Sequence, residues 1–118
     1  MTVAAATRIA YRSLLNTRGE SITYRRGAEE LSVVAMPGQD EFPSESTEGL
    51  TTKERTRDFL IEASKLVLAA VAATPEPGDQ IDWPGLGTFE VLSPGGSEPE
   101  WRYEGSHNFF VRVHTREI

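Results

Sequence analysis

The chain contains no cysteine. Disulfide frameworks, thiolate zinc sites and cysteine nucleophiles are therefore excluded together. Basic charge is scarce as well: 12 Lys and Arg face 18 Asp and Glu, for a net charge of −6. A protein that grips nucleic-acid phosphates concentrates basic surface, so this balance argues against that as the main task. Long apolar runs are missing too. The longest, from Phe59 to Thr74, is broken by Glu62 and Lys65 and is too short and too charged to span a bilayer. Arg8 and Arg12 interrupt the stretch MTVAAATRIAYRSLLN, which lacks the unbroken apolar centre of a signal peptide. The expectation is a protein made and used in a cytoplasm, or assembled there into something larger, with no membrane partner.

Catalytic groups are equally thin. Only His107 and His114 are available as imidazoles, seven residues apart, with no H-E-x-x-H motif beside them. No G-x-S-x-G elbow presents a serine nucleophile. GLGTFE starts like a phosphate-binding loop, but it lacks the third glycine and leads into a β-type run, whereas such loops work through helix N-terminal amides. Asp79 and Asp82 read as turn-capping carboxylates rather than a hydrolytic pair. His114, beside Arg112, is expected on the solvent face or at a subunit contact. No catalytic residue, metal site or cofactor is expected, and the chain reads as a non-enzyme.

What is present is punctuation. The 118 residues fit one domain with a modest core. Residues 1–19 show an approximate 3.6-residue stripe and predict a helix, with Gly19 as its stop. That helix either covers one end of a β core or docks on a neighbouring subunit. Residues 20–118 then read as a β-barrel or sandwich domain. SITYRR and ELSVVAM around GAE predict a hairpin. Residues 37–52 form a long acidic loop holding Asp40, Glu41, Phe42, Glu45 and Glu48, and loops of that length in small domains are usually functional or disordered. KERTRDFLI (Lys53–Ile61) predicts a strand with Lys53, Arg55 and Arg57 on one side. Around Ala63–Leu68, periodicity does not separate helix from buried strand, and helix propensity favours a turn or two of helix.

The stretch PEPGDQIDWPGLGTFEVLSPGGSEPEWRY is the most heavily punctuated. Pro77-Gly78 is the pair a type II turn asks for, and QIDW, TFEVL and EWRYE are short strands between further turns. NFFVRVHTREI closes the chain with Phe109, Val111 and Val113 on one face and Phe110, Arg112 and His114 on the other. Strands about ten residues apart with a turn between each form the pattern of a small β-barrel or sandwich. The aromatics Trp83, Trp101, Tyr103, Phe109 and Phe110 fill such a core. With Arg102 and Arg112 among them they could also line a single-strand-binding groove, against which Asp79, Asp82, Glu90, Glu98, Glu100 and Glu104 would repel phosphates.

The order YRRG, RDFLIEASKL, P-x-P-G-D-x-I, G-T-F-E-V-L-x-P-G-G…P-x-W-R-Y and V-R-V-H-T resembles small phage and prophage head–tail joining proteins. These are the head-closure or stopper proteins of long-tailed phages and the lambda-type tail-attachment proteins. The resemblance runs from about Ser21 to Thr115 and leaves the N-terminal helix outside. It implies a small β-barrel with a projecting loop at residues 37–52, in which Gly78, Asp79, Ile81, Gly87, Phe89, Val91, Trp101 and Tyr103 are scaffold. It further implies a ring, expected to be a hexamer, in the virion neck between the portal or adaptor and the tail terminator or tail tube. DNA would pass through without sequence-specific binding. The acidic loop, with Phe42 as anchor, would gate the channel or touch a neighbouring ring. The other functional class is a small β-barrel module that binds nucleic acid or protein. Self-assembly favours the first and salt-dependent binding to single strands favours the second.

Overall fold

A computed structural model describes residues 2–38, 56–95, 97–105 and 107–118. It opens with helix α1 (Val3–Arg18), whose first turn is capped by Thr2 accepting a hydrogen bond from the Ala5 amide at 3.1 Å. Gly19 ends the helix, but not in the left-handed conformation that usually favours glycine there: its φ is −75°. The reason is space. A Cβ at Gly19 would lie 2.2 Å from the Leu15 carbonyl oxygen and 2.6 Å from Val34 Cγ1.

Strands β1 (Glu20–Arg26) and β2 (Glu29–Pro37) form the expected hairpin. The register pairs Arg26 with Glu29, leaving a two-residue loop whose first residue, Gly27, has φ +58°. That is the glycine position of a type II′ turn, whose twist matches the strands. Next come β3 (Thr56–Glu62), a 3-10 turn (Ala63–Lys65), β4 (Val67–Leu68) and β5 (Val71–Ala72). The helical turns expected around Ala63–Leu68 are thus one short turn followed by a tiny hairpin. Leu66 and Leu68 are drawn into the core, and that burial overrides helix propensity. The hairpin bends at Ala69 and Ala70, both at positive φ (51° and 63°).

Strands β6 (Gln80–Trp83), β7 (Gly87–Val91), β8 (Trp101–Glu104) and β9 (Phe110–Glu117) complete the chain. β1, β2, β3, β9, β7 and β6 pair in that order and close into a six-stranded antiparallel barrel through the β1–β6 contact. The β3–β9 seam has seven pairs, from Thr56↔Arg116 to Glu62↔Phe110, as many as the β1–β2 hairpin. On its other edge β9 has two partners end to end. Its second half pairs with β7, Phe89↔Glu117 to Val91↔Thr115, and its first half with β8, Trp101↔Val113 to Glu104↔Phe110.

The alternating side chains of β3 face two cores. Phe59 and Ile61 point inside the barrel with Ile22, Tyr24, Ala35, Ile81, Trp83, Phe89, Val91, Val111 and Val113. Phe59, Trp83 and Phe89 form a triangle of ring contacts, with centroids 5.5 to 6.3 Å apart. Leu60 points outward and meets Leu15 of α1 and Phe110 in a smaller cluster flanked by Tyr11, Met36 and Phe109. Two aromatic expectations are corrected here. Phe109 precedes β9 and lies in the helix-side cluster, not with Val111 and Val113, because Asn108 at φ +56° turns the chain before the strand begins. Tyr103 is not in the core: it is 40% exposed, since β8 extends past the end of the closed barrel, while Trp101 packs half-buried against the core rim.

Candidate functional site

The P-G-D turn is the most connected point on the barrel. The Asp79 amide donates to the Glu76 carbonyl at 3.1 Å across Pro77 and Gly78, and Gly78 has φ +91°, as a type II turn requires. Gly78 serves twice. Its amide donates to the Val91 carbonyl at 2.9 Å while the Val91 amide donates to the Asp79 carbonyl at 2.7 Å, so Gly78 and Asp79 together oppose Val91. That is a glycine-led β-bulge built onto the turn.

The Asp79 side chain, turned inward and only 3% exposed, then collects donors from three places. Arg26 gives two, Nε at 2.9 Å and Nη2 at 2.8 Å, the Glu76 amide gives one at 2.9 Å, and the Tyr24 hydroxyl donates as well. The second Arg26 nitrogen also reaches the Thr74 carbonyl at 2.7 Å. Burial and the Asp79 carboxylate push the Tyr24 hydroxyl well above the usual phenol range. The Asp79 hydrogen bond also raises the Arg26 guanidinium. The Tyr24 and Arg26 bonds tie β1 to the β5–β6 connection and the Glu76 bond braces the turn itself, so this buried charge is a staple.

A second network lies on the outer face of β3, β8 and β9. His114 Nδ1 sits 2.7 Å from Asp58 Oδ1, Arg112 Nη1 is 3.5 Å from the other Asp58 oxygen, and Arg112 Nε is 2.6 Å from Glu104. The hydrogen bond from Arg112 to Glu104 raises the guanidinium further. His114 is thus not a solvent-facing side chain: it is 15% exposed and held by Asp58 across the β3–β9 seam. Among the described residues no hydroxyl is hydrogen-bonded to its ring, and no group of three or more potential metal ligands occurs.

The third feature is a half-open groove of about 580 Å³ between α1 and β2. Arg12, Leu15 and Asn16 form one wall, Glu62 and Lys65 the other, and Leu31, Ser32, Val33 and Val34 line the rest. Arg12 clamps the helix over β3 with a two-toothed bond to Glu62, 3.0 and 3.1 Å, and Ser64 adds a third at 2.9 Å. The Arg12 bond holds the Glu62 carboxyl below the ordinary carboxylate range. Sequence reasoning missed this groove. Its only advance signal was α1 itself, with Arg8, Arg12 and Arg18 and no acid in a net-negative chain.

The expected scaffold residues are therefore spread along one side of the barrel. Ile81, Phe89 and Val91 are interior, and Gly78 and Asp79 build the staple. Gly87, at φ +132°, closes the Pro84–Leu86 loop, Trp101 lies at the core rim and Tyr103 lies outside. Asp40, Glu41, Phe42, Glu45 and Glu48 fall outside the described residues.

Among the described residues the buried charges Asp58, Glu62 and Asp79 each tie elements of a closed barrel together, an arrangement of scaffold type. The chain belongs to the phage head–tail joining protein family, whose model matches residues 2–118. The match takes in α1, so the helix left outside the sequence resemblance is part of the family's domain. Neither a curated protein nor a solved structure matches the chain. The family places the protein in a structural role at the virion neck, among other head and tail proteins. Among the described residues no helix is long and apolar enough to cross a membrane.

Proposed function

We propose that copies of this chain form a ring, expected to be a hexamer, between the portal or adaptor and the tail, closing the DNA channel after packaging and presenting the surface on which the completed tail docks. The family match over nearly the whole chain carries this reading. The stapled barrel supports it, because a joint that holds packaged DNA must resist distortion, and Asp79 and Asp58 each tie separate strands together. DNA passes such a ring without sequence-specific contacts. Asp40, Glu41, Glu45 and Glu48 supply negative charge that repels it, or touch the next ring with Phe42 as the apolar anchor. The test is electron microscopy of lysates with the gene deleted, with and without a complementing copy. DNA-filled or leaking heads beside finished, unattached tails are expected without the gene, and joined particles on complementation. Normal joined particles in the deletion lysate overturn the reading. Neutralising the four loop acids is expected to lower DNA retention or tail joining, and wild-type infectivity of that variant would remove the loop from the proposal.

A further inference from the structure

Two strand edges of this chain have no partner among the described residues, and they are complementary. On β2, only Ala35–Pro37 pair with β3, so the outer edge from Glu29 to Val34 is open. A two-residue hairpin closes on a hydrogen-bonded pair, here Arg26 and Glu29. Alternation then turns the N–H and C=O of Glu30, Ser32 and Val34 away from β1. Gly38 follows the same phase, its amide donating to the Asp58 carbonyl at 2.6 Å. Ser32 and Val34 line the groove beside α1, so their unpaired backbone groups face into it. On β8, the His114 amide donates to the Glu100 carbonyl at 2.9 Å, which assigns the β9-directed bonds to Arg102 and Glu104. The N–H and C=O of Trp101 and Tyr103 point to the open side.

Charge and apolar surface match as well. Arg12 in the groove is paired with Glu62, which leaves Lys65 as its unmatched charge, under a helix with three arginines and no acid. The β8 edge is preceded by Glu98 and Glu100, while Glu104 is held by Arg112 of its own chain. Exposed apolar side chains stand on both, Val34 at the groove and Tyr103 on the strand, with the Trp101 and Tyr103 rings 5.0 Å apart in a T. The groove's volume lies in the range that receives a few side chains.

We propose that a second copy of this chain lays its β8 edge into this groove, antiparallel to β2, with Tyr103 opposite Ser32 and Trp101 opposite Val34. The inference rests on the ring reading and names its subunit contact. The two surfaces differ, so the contact is head-to-tail and propagates to a ring or a filament rather than a two-fold dimer. Main-chain bonds supply the attachment, and Glu98 and Glu100 ahead of β8 against Lys65 and the basic helix set its direction.

The chain's lack of cysteine makes the test clean. Ser32→Cys and Tyr103→Cys proteins are purified separately, mixed and oxidised, and are also carried together into particles by complementation. Opposed residues in a ladder lie within disulfide reach. Mixed cross-linked dimers are expected, with none from either variant alone, and the double variant should give a ladder of oligomers. Absence of mixed dimers in both settings overturns the proposal. If wild-type particles are joined yet no cross-link forms, this contact fails and the neck reading stands. Joined particles in the deletion lysate would fail the neck reading instead. Tyr103→Pro is the second arm. It removes an amide that β9 does not use, so the barrel should keep its circular dichroism while losing one main-chain bond, which weakens assembly about tenfold. Normal assembly of a folded Tyr103→Pro protein also overturns the proposal.

Discussion

On its inner face β3 sends Phe59 and Ile61 into a closed, ring-packed interior, whereas on its outer face Asp58, Leu60 and Glu62 meet charges and a single helix. The interior draws on every strand of the barrel and on the β4–β5 hairpin. The helix side has three buried residues, Leu15, Leu60 and Phe110, and is held at its margin by the Arg12–Glu62 clamp. The contrast teaches that barrel and helix are separable in stability. The barrel is cooperative because each strand packs on several others, while α1 is docked through one buried leucine, the ring contact between Tyr11 and Phe110, Arg8 over the Phe109 ring, and the half-buried Arg12–Glu62 pair.

The sharpest way to break the barrel side is Asp79→Ala. It leaves Tyr24, Arg26 and the Glu76 amide without the Asp79 acceptor, and about 3 kcal/mol of global stability should be lost, read as a lowered urea midpoint for tryptophan fluorescence. A midpoint unchanged from wild type would remove the staple from the account. Leu15→Ala should cost about 2 kcal/mol but locally. Hydrogen exchange should accelerate in α1 while β3 and β9 keep their protection, and equal loss in both would merge the two regions into one unit.

Acid probes the clamp. Glu62 titrates below its ordinary value of 4.5 when folded, so its contribution is present above that pH and fades as pH falls through the depressed value. Helix signal should therefore drop on acidification below pH 4.5 in wild type, and less steeply in Glu62→Gln. Parallel curves would assign the acid sensitivity elsewhere. The smallest effect is a gain. Ala69→Asn with Ala70→Gly suits the positive φ at both positions and should stabilise the β4–β5 hairpin by about 1 kcal/mol, seen as a raised thermal midpoint.

Turn chemistry made most of the barrel readable in advance. Pro77-Gly78 states a type II turn by the fixed φ of one residue and the positive φ of the next, and the structure adds only that the same glycine leads a bulge. The alternation in β1, β6 and β7 is likewise plain, because one face is buried and the other wet. Three things were not readable. Ala63–Leu68 has helical propensity, and only the barrel's demand for Leu66 and Leu68 reverses it. Tyr103 alternates like a core residue, but no local pattern says that its strand outruns the barrel. The groove joins Arg12 to Lys65 and Ser32, and no short-range period links residues so far apart in the chain.

β9, shared end to end by β8 and β7, has a mechanical consequence. Ladder hydrogen bonds lie across the strands, so tension applied along β8 is passed to β9 as sliding rather than peeling. From β9 it spreads over the seven-pair seam with β3, where all the bonds must yield together instead of one after another. A grip on β8 would thus pull on the barrel wall in its strongest direction, which suits a protein of the head–tail joint.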